Sequence, residues 1–129
     1  MTLTQEMIEY IGFDNEEWNW EHISIYIRLT LPFVKKYRNK LYVGELSDNE
    51  SLTQEIIEYI GVDNKEWNWK YITQHIKLTL PFVKKYKDKL EMWDLSKNDT
   101  LAQQMIWCIG VDNKWNCKYI SRYIRLDFI

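Results

Sequence analysis

The chain is written nearly twice over. Residues 2–50 return as residues 51–99 with 31 of 49 positions identical, and a shorter third copy runs from 100 to 129. TLTQEMIEYIGFDNEEWNW becomes SLTQEIIEYIGVDNKEWNW, and LTLPFVKKYRNKL becomes LTLPFVKKYKDKL. Self-similarity at a period of about 20–50 residues marks an array, because one such unit cannot bury its apolar face alone and must stack on its neighbours. The expectation is one domain, 1–129, made of copies 2–50, 51–99 and 100–129. Each full copy splits into halves of 26 and 23 residues. Each half opens on Leu-Thr and passes through an apolar pair to an Ile/Leu-Ser/Thr close: Leu3-Thr4 to Ile23-Ser24, then Leu29-Thr30 to Leu46-Ser47.

The period within each half is helical. Leu3, Met7, Ile8 and Ile11 lie on one helical stripe. Thr2 with Gln5 reads as a capping box, repeated by Ser51/Gln54 and Thr100/Gln103, with Thr4 and Thr53 as rival caps. Gly12, Gly61 and Gly110 stand where a helix ends in a left-handed residue. A second helix is expected from Asp14, boxed by Glu17, with Asp63/Glu66 as its copy. It would carry Trp20, Ile23 and Ile27 on one side and Trp18, His22 and Ile25 on another. Thr30-Leu31-Pro32 starts a third helix, since Pro is tolerated only in the first turn. Phe33, Val34, Tyr37 and Leu41 face inward there, while Lys35, Lys36 and Arg38 face out; Phe82, Val83, Tyr86 and Leu90 repeat the inner set. A short fourth helix is expected around 42–47 and 91–96, the latter boxed by Asp88 and Glu91. Sustained alternation and Asn-Gly or Asp-Gly hairpin turns are missing, and only 4 Gly and 2 Pro occur in 129 residues, which disfavours an all-β fold. The fold expected is all-α: short helical hairpins stacked as a small α-solenoid of about five half-units.

The strings Trp18-Asn19-Trp20 with Ile23-Ser24, and Trp67-Asn68-Trp69 with Ile72-Thr73, carry a resemblance. Together with the Leu-Thr, the apolar pair and the Asp-Asn before them, they resemble tandem repeats of about two dozen residues found in giant DNA viruses of amoebae, over nearly the whole chain. Leu41-Tyr42-Val43 and Leu90-Glu91-Met92 depart from that pattern, and the third copy keeps only Trp115-Asn116. The resemblance implies a repeat scaffold, with no shared catalytic residues and no cofactor.

Composition narrows the function. A net charge of −2 and a pI near 5.7 give no global basic field toward nucleic acid or anionic membranes. No stretch nears the roughly 18 apolar residues a membrane span needs, and MTLTQEMIEYIG is not expected to be a signal peptide. Cys108 and Cys117 do not recur with the repeat, so they are read as reduced thiols in a reducing compartment, and the location expected is cytoplasmic. Asp14/Asn15, Asp63/Asn64 and Asp112/Asn113 lack the further oxygen ligands calcium needs, and His22 and His75 are not equivalent positions, so no metal is expected. No phosphate-binding glycine loop occurs. Neither cysteine stands in a nucleophile motif with a histidine, so no enzyme, cofactor or small-molecule substrate is expected. What remains is contact chemistry. Trp18, Trp67 and Trp107, with Lys35, Lys36, Lys84 and Lys85, are the candidate partner-binding residues, aromatics and cations being strong contact groups. The expected function is a protein-binding or scaffolding module that can also self-assemble. The alternative is a nucleic-acid-binding repeat that uses the Lys-Lys-Tyr rows.

Overall fold

The structure, a computed structural model, describes residues 3–102 and 104–106. It is all-α, with no strand among the described residues. The helices are α1 (Gln5–Ile11), α2 (Trp20–Tyr26), α3 (Leu31–Tyr37), α4 (Val43–Leu46), α5 (Gln54–Ile60), α6 (Trp69–His75), α7 (Leu80–Tyr86) and α8 (Met92–Leu95). Residues 104–106 are also helical. At four to seven residues, none would hold alone in water, so packing stabilises them. No helix among the described residues is long and apolar enough to cross a membrane. The chain forms two compact units, Met1–Asn68 and Trp69–Ile129.

In the first unit, α2 packs on α4 and α3 on α5, so helices pair with their counterparts in the next half-unit. In the second, α6 packs on α8. The core is aliphatic with few aromatics. Ile8, Ile23, Ile27, Phe33, Val34, Tyr37, Leu41, Val43, Leu46, Ile56 and Ile57 are buried in the first unit, and Ile72, Ile76, Phe82, Val83, Leu90 and Leu95 in the second. The inward set expected for the third helix is therefore buried in copy one, and in copy two all but Tyr86, which is half-buried.

Two helix starts differ from expectation. Thr4 and Thr53 are the N-caps, accepting from the Met7 and Ile56 amides at 3.2 and 3.3 Å. Thr30 caps α3 in the same way, from Phe33 at 3.3 Å. Ser51 does not cap α5, its hydroxyl accepting the Leu29 amide instead; Thr2 and Gln103, and with them the Thr2/Gln5 and Thr100/Gln103 boxes, lie outside the described residues. The second helix begins at Trp20, six residues later than Asp14, with Asn19 as its cap (His22 N–H at 3.0 Å). Residues 13–14 and 16–17 are instead turns, because the Asn15 side chain accepts the Glu17 N–H at 2.9 Å, an Asx-turn that competes with helix. Asn64 and Glu66 repeat it at 2.9 Å. Gly12 and Gly61 end their helices at φ 113° and 116°, backbone open to glycine and strained for other residues. The short fourth helices exist, but α8 has no side-chain cap, so the Asp88/Glu91 box does not form.

Candidate interaction surface

The two described tryptophans among the candidates act inside the fold. Trp18 Nε1–H donates to the Gly12 carbonyl at 2.8 Å, and Trp67 repeats the bond to Gly61 at 2.8 Å. Each indole thus pins the turn that follows α1 or α5. Trp67 is only 6% exposed and Trp18 is half-buried. Trp107 lies outside the described residues, as do Cys108 and Cys117.

The four lysines are exposed on α3 and α7. Lys36 Nζ lies 3.4 Å from Glu9 on α1, and hydrogen bonds to Tyr37 and Glu9 hold its ammonium above the ordinary lysine range. Lys35 sits 5.5 Å over the Tyr59 ring of α5, and Lys85 5.3 Å over Tyr86. The row therefore also binds its own fold, through cation–π contacts of about 0.5–1 kcal/mol at exposed sites.

Beside the row lies an aromatic cluster that sequence reasoning missed as a group. The Tyr37 ring stands 5.4 Å from Phe13, 5.8 Å from Trp20 and 4.8 Å from Phe33, and Lys40 lies 5.8 Å over both Phe13 and Trp20. A shallow groove of about 370 Å³ runs past it, lined by Trp20, Asn39, Lys40, Leu41, Tyr42 and Glu66. Its two charged groups are Lys40, half-buried, and Glu66, exposed. Among the described residues no group of three or more His, Cys, Asp or Glu is placed to hold a metal ion. His22 and His75 instead stack on Tyr26 and Tyr71, at 4.5 and 4.3 Å.

The most regular chemistry lies between half-units. Asn49 is 6% exposed, and its Nδ2 donates to the Ser24 and Ile27 carbonyls, each at 2.8 Å, at the end of α2. Its Oδ1 accepts the Ser51 amide at 2.8 Å and hydroxyl at 2.6 Å, and Ser51 Oγ accepts the Leu29 N–H at 2.8 Å. Copy two repeats every bond. Asn98 donates to Thr73 and Ile76 at 2.8 and 2.7 Å and accepts from Thr100 at 2.8 and 2.6 Å, while Thr100 accepts from Leu78 at 2.8 Å. A second stitch uses the Ser/Thr that closes each half-unit. Ser24 Oγ donates to Trp20 at 2.7 Å and accepts the Tyr42 N–H at 3.0 Å. Ser47 donates to Val43 at 3.5 Å and accepts the Asn68 N–H at 2.9 Å. Thr73 and Ser96 donate to Trp69 and Met92 in the same way. No buried side-chain nitrogen or oxygen among the described residues lacks a partner. Comparison with family models, with curated proteins and with solved structures found no match.

Proposed function

We propose that the chain is a non-enzymatic scaffold whose half-units stack as a short α-solenoid and whose exposed side chains bind a protein partner. The observation that carries this reading is the repeated asparagine stitch. Asn49 and Asn98 complete the carbonyls of the preceding helix in the same register in both copies. Half-units built to complete one another are the physical basis of an array, and arrays supply extended contact surfaces. The Trp-Asn-Trp resemblance supports a viral origin, and the cysteines a cytoplasmic setting. Binding of nucleic acid by Lys35, Lys36, Lys84 and Lys85 is the second reading, favoured by their exposure at one register on α3 and α7. The test is capture by the immobilised full chain from host-cell extract, before and after nuclease treatment. Protein retained after nuclease supports the scaffold. Retention lost with nuclease, and lost again when the four lysines become Glu, supports the second reading. A chain that retains neither overturns both.

A further inference from the structure

We propose that Asn49 and Asn98 are latent N-glycan acceptors, open only in the unfolded chain, so that folding and N-glycosylation of this protein exclude each other. Asn-x-Ser/Thr is the triplet that oligosaccharide transfer recognises, and in a folded protein it ordinarily marks a surface loop. Asn49-Glu50-Ser51 and Asn98-Asp99-Thr100 both have it, at one register of the two copies, and no other asparagine of the chain does. Here the triplet is the stitch. Asn49 and Asn98 are only 6% and 4% exposed. Each Nδ2, the atom a glycan would take, already donates to two backbone carbonyls: Ser24 and Ile27 at 2.8 Å, Thr73 and Ile76 at 2.8 and 2.7 Å. The hydroxyl that completes the triplet is engaged as well. Ser51 Oγ and Thr100 Oγ1 each donate to their asparagine Oδ1 at 2.6 Å and accept the Leu29 and Leu78 N–H at 2.8 Å.

Transfer forms a bond from Nδ2 to the anomeric carbon of an oligosaccharide and breaks that carbon's bond to a lipid pyrophosphate. The pyrophosphate leaves with the electron pair, and one Nδ2 proton goes to solvent. A single N–H then remains where two carbonyls wait, and a sugar must enter a site closed to water. One buried carbonyl in each stitch is stranded, and the half-units cannot close on each other. Both copies keep the triplet because the stitch needs the same groups: two amide hydrogens, and a hydroxyl two residues on. The folded chain therefore belongs where no such transfer occurs, an argument for the cytoplasm that is independent of the cysteines. It uses the stitch geometry of the scaffold reading and none of its partner chemistry.

The test directs the full chain, behind a cleavable signal peptide, into endoplasmic reticulum microsomes, with and without a competing acceptor tripeptide that blocks transfer. Without competitor, glycosidase-sensitive mass is expected on Asn49 and Asn98. That product should be cut by protease at least about thirtyfold faster than chain made without microsomes, since cleavage tracks the population of the open chain and both stitches are broken. With competitor, the same sequence in the same lumen should resist protease as the unmodified chain does. Purified folded chain offered to oligosaccharyltransferase and its lipid-linked donor should take no glycan. Four results overturn the proposal: transfer to the folded chain, a glycosylated chain as resistant as the unmodified one, no glycan on the imported chain, or equal sensitivity when the competitor is present. A glycosylated chain that resists protease removes this proposal alone, because partner capture is measured on unmodified chain.

Discussion

Asn49 carries two donors, and both go to backbone carbonyls at the end of a helix more than twenty residues earlier. Replacing it by Ala leaves the Ser24 and Ile27 carbonyls without those donors and opens space at a buried site. Asn49→Ala should cost about 2–4 kcal/mol, since each stranded buried group costs roughly 1–3 kcal/mol. Urea denaturation measures it, and a change under about 0.5 kcal/mol, the scale of an ordinary surface substitution, would deny the asparagine its role. The residue was legible, though not by the motifs that usually advertise a site. Between YVGELSDNE and EMWDLSKND only Leu46, Ser47 and Asn49 persist as Leu95, Ser96 and Asn98, and all six are buried. A polar residue that survives duplication inside a divergent stretch signals a bond made elsewhere. The glycines follow simpler logic. Gly12→Ala and Gly61→Ala should each cost about 1–3 kcal/mol from positive φ alone. Gly12 should cost somewhat more, because an added Cβ would lie 3.3 Å from Asp14 Oδ1, while at Gly61 nothing stands within 4 Å. Equal stability of the parent and both alanine variants in thermal melts would contradict the strained geometry.

At the scale of elements, the rival caps show what a pattern can and cannot decide. Ser51 and Thr53 are both hydroxyl residues near a helix start, and the box Ser51/Gln54 fits the general rule. The deciding feature is the Leu-Thr that opens each half-unit of the two full copies, Thr4, Thr30, Thr53 and Thr79 standing immediately before a helix. Thr53→Ala should therefore cost about 1 kcal/mol as a lost cap. Ser51→Ala should act differently, exposing the Leu29 amide to exchange. The late start of α2 escaped because Asp14 and Glu17 imitate a box, while the Asn15 side chain turns the backbone first. Element α8 yields a pH prediction. A hydrogen bond to the buried Asp94 raises the Glu91 pKa above the ordinary glutamate range, with burial and Asp94 charge adding and Lys70 opposing. Gln74 Nε2–H also donates to Asp94. A carboxyl whose folded pKa lies above its unfolded one binds its proton more tightly when folded. Its contribution is complete below the unfolded glutamate value and is lost as pH rises through the raised one. Glu91→Gln should flatten the fall of Tm across that window, and an unchanged Tm–pH profile in the variant would count against the raised Glu91 pKa.

At the scale of the molecule, the duplication made the all-α fold legible, because helical period and scarce glycine and proline agree in each copy. The close of each half-unit, Ile/Leu-Ser/Thr, was visible as a pattern; its cause is the hydroxyl that accepts an amide from the next half-unit, Tyr42 for Ser24 and Asn68 for Ser47. The tryptophans were harder to place. Exposed and pinning indoles have the same spacing, and only the bonds to Gly12 and Gly61 separate them. Coupling between half-units is the central claim, and hydrogen exchange of Asn49→Ala reads it directly. The prediction is faster exchange at Ile23, Ile27 and Leu29, in the preceding half-unit, with the α1 amides little changed. Faster exchange confined to residues 47–53, with α2 as protected as in the parent chain, would mean that the half-units do not complete one another.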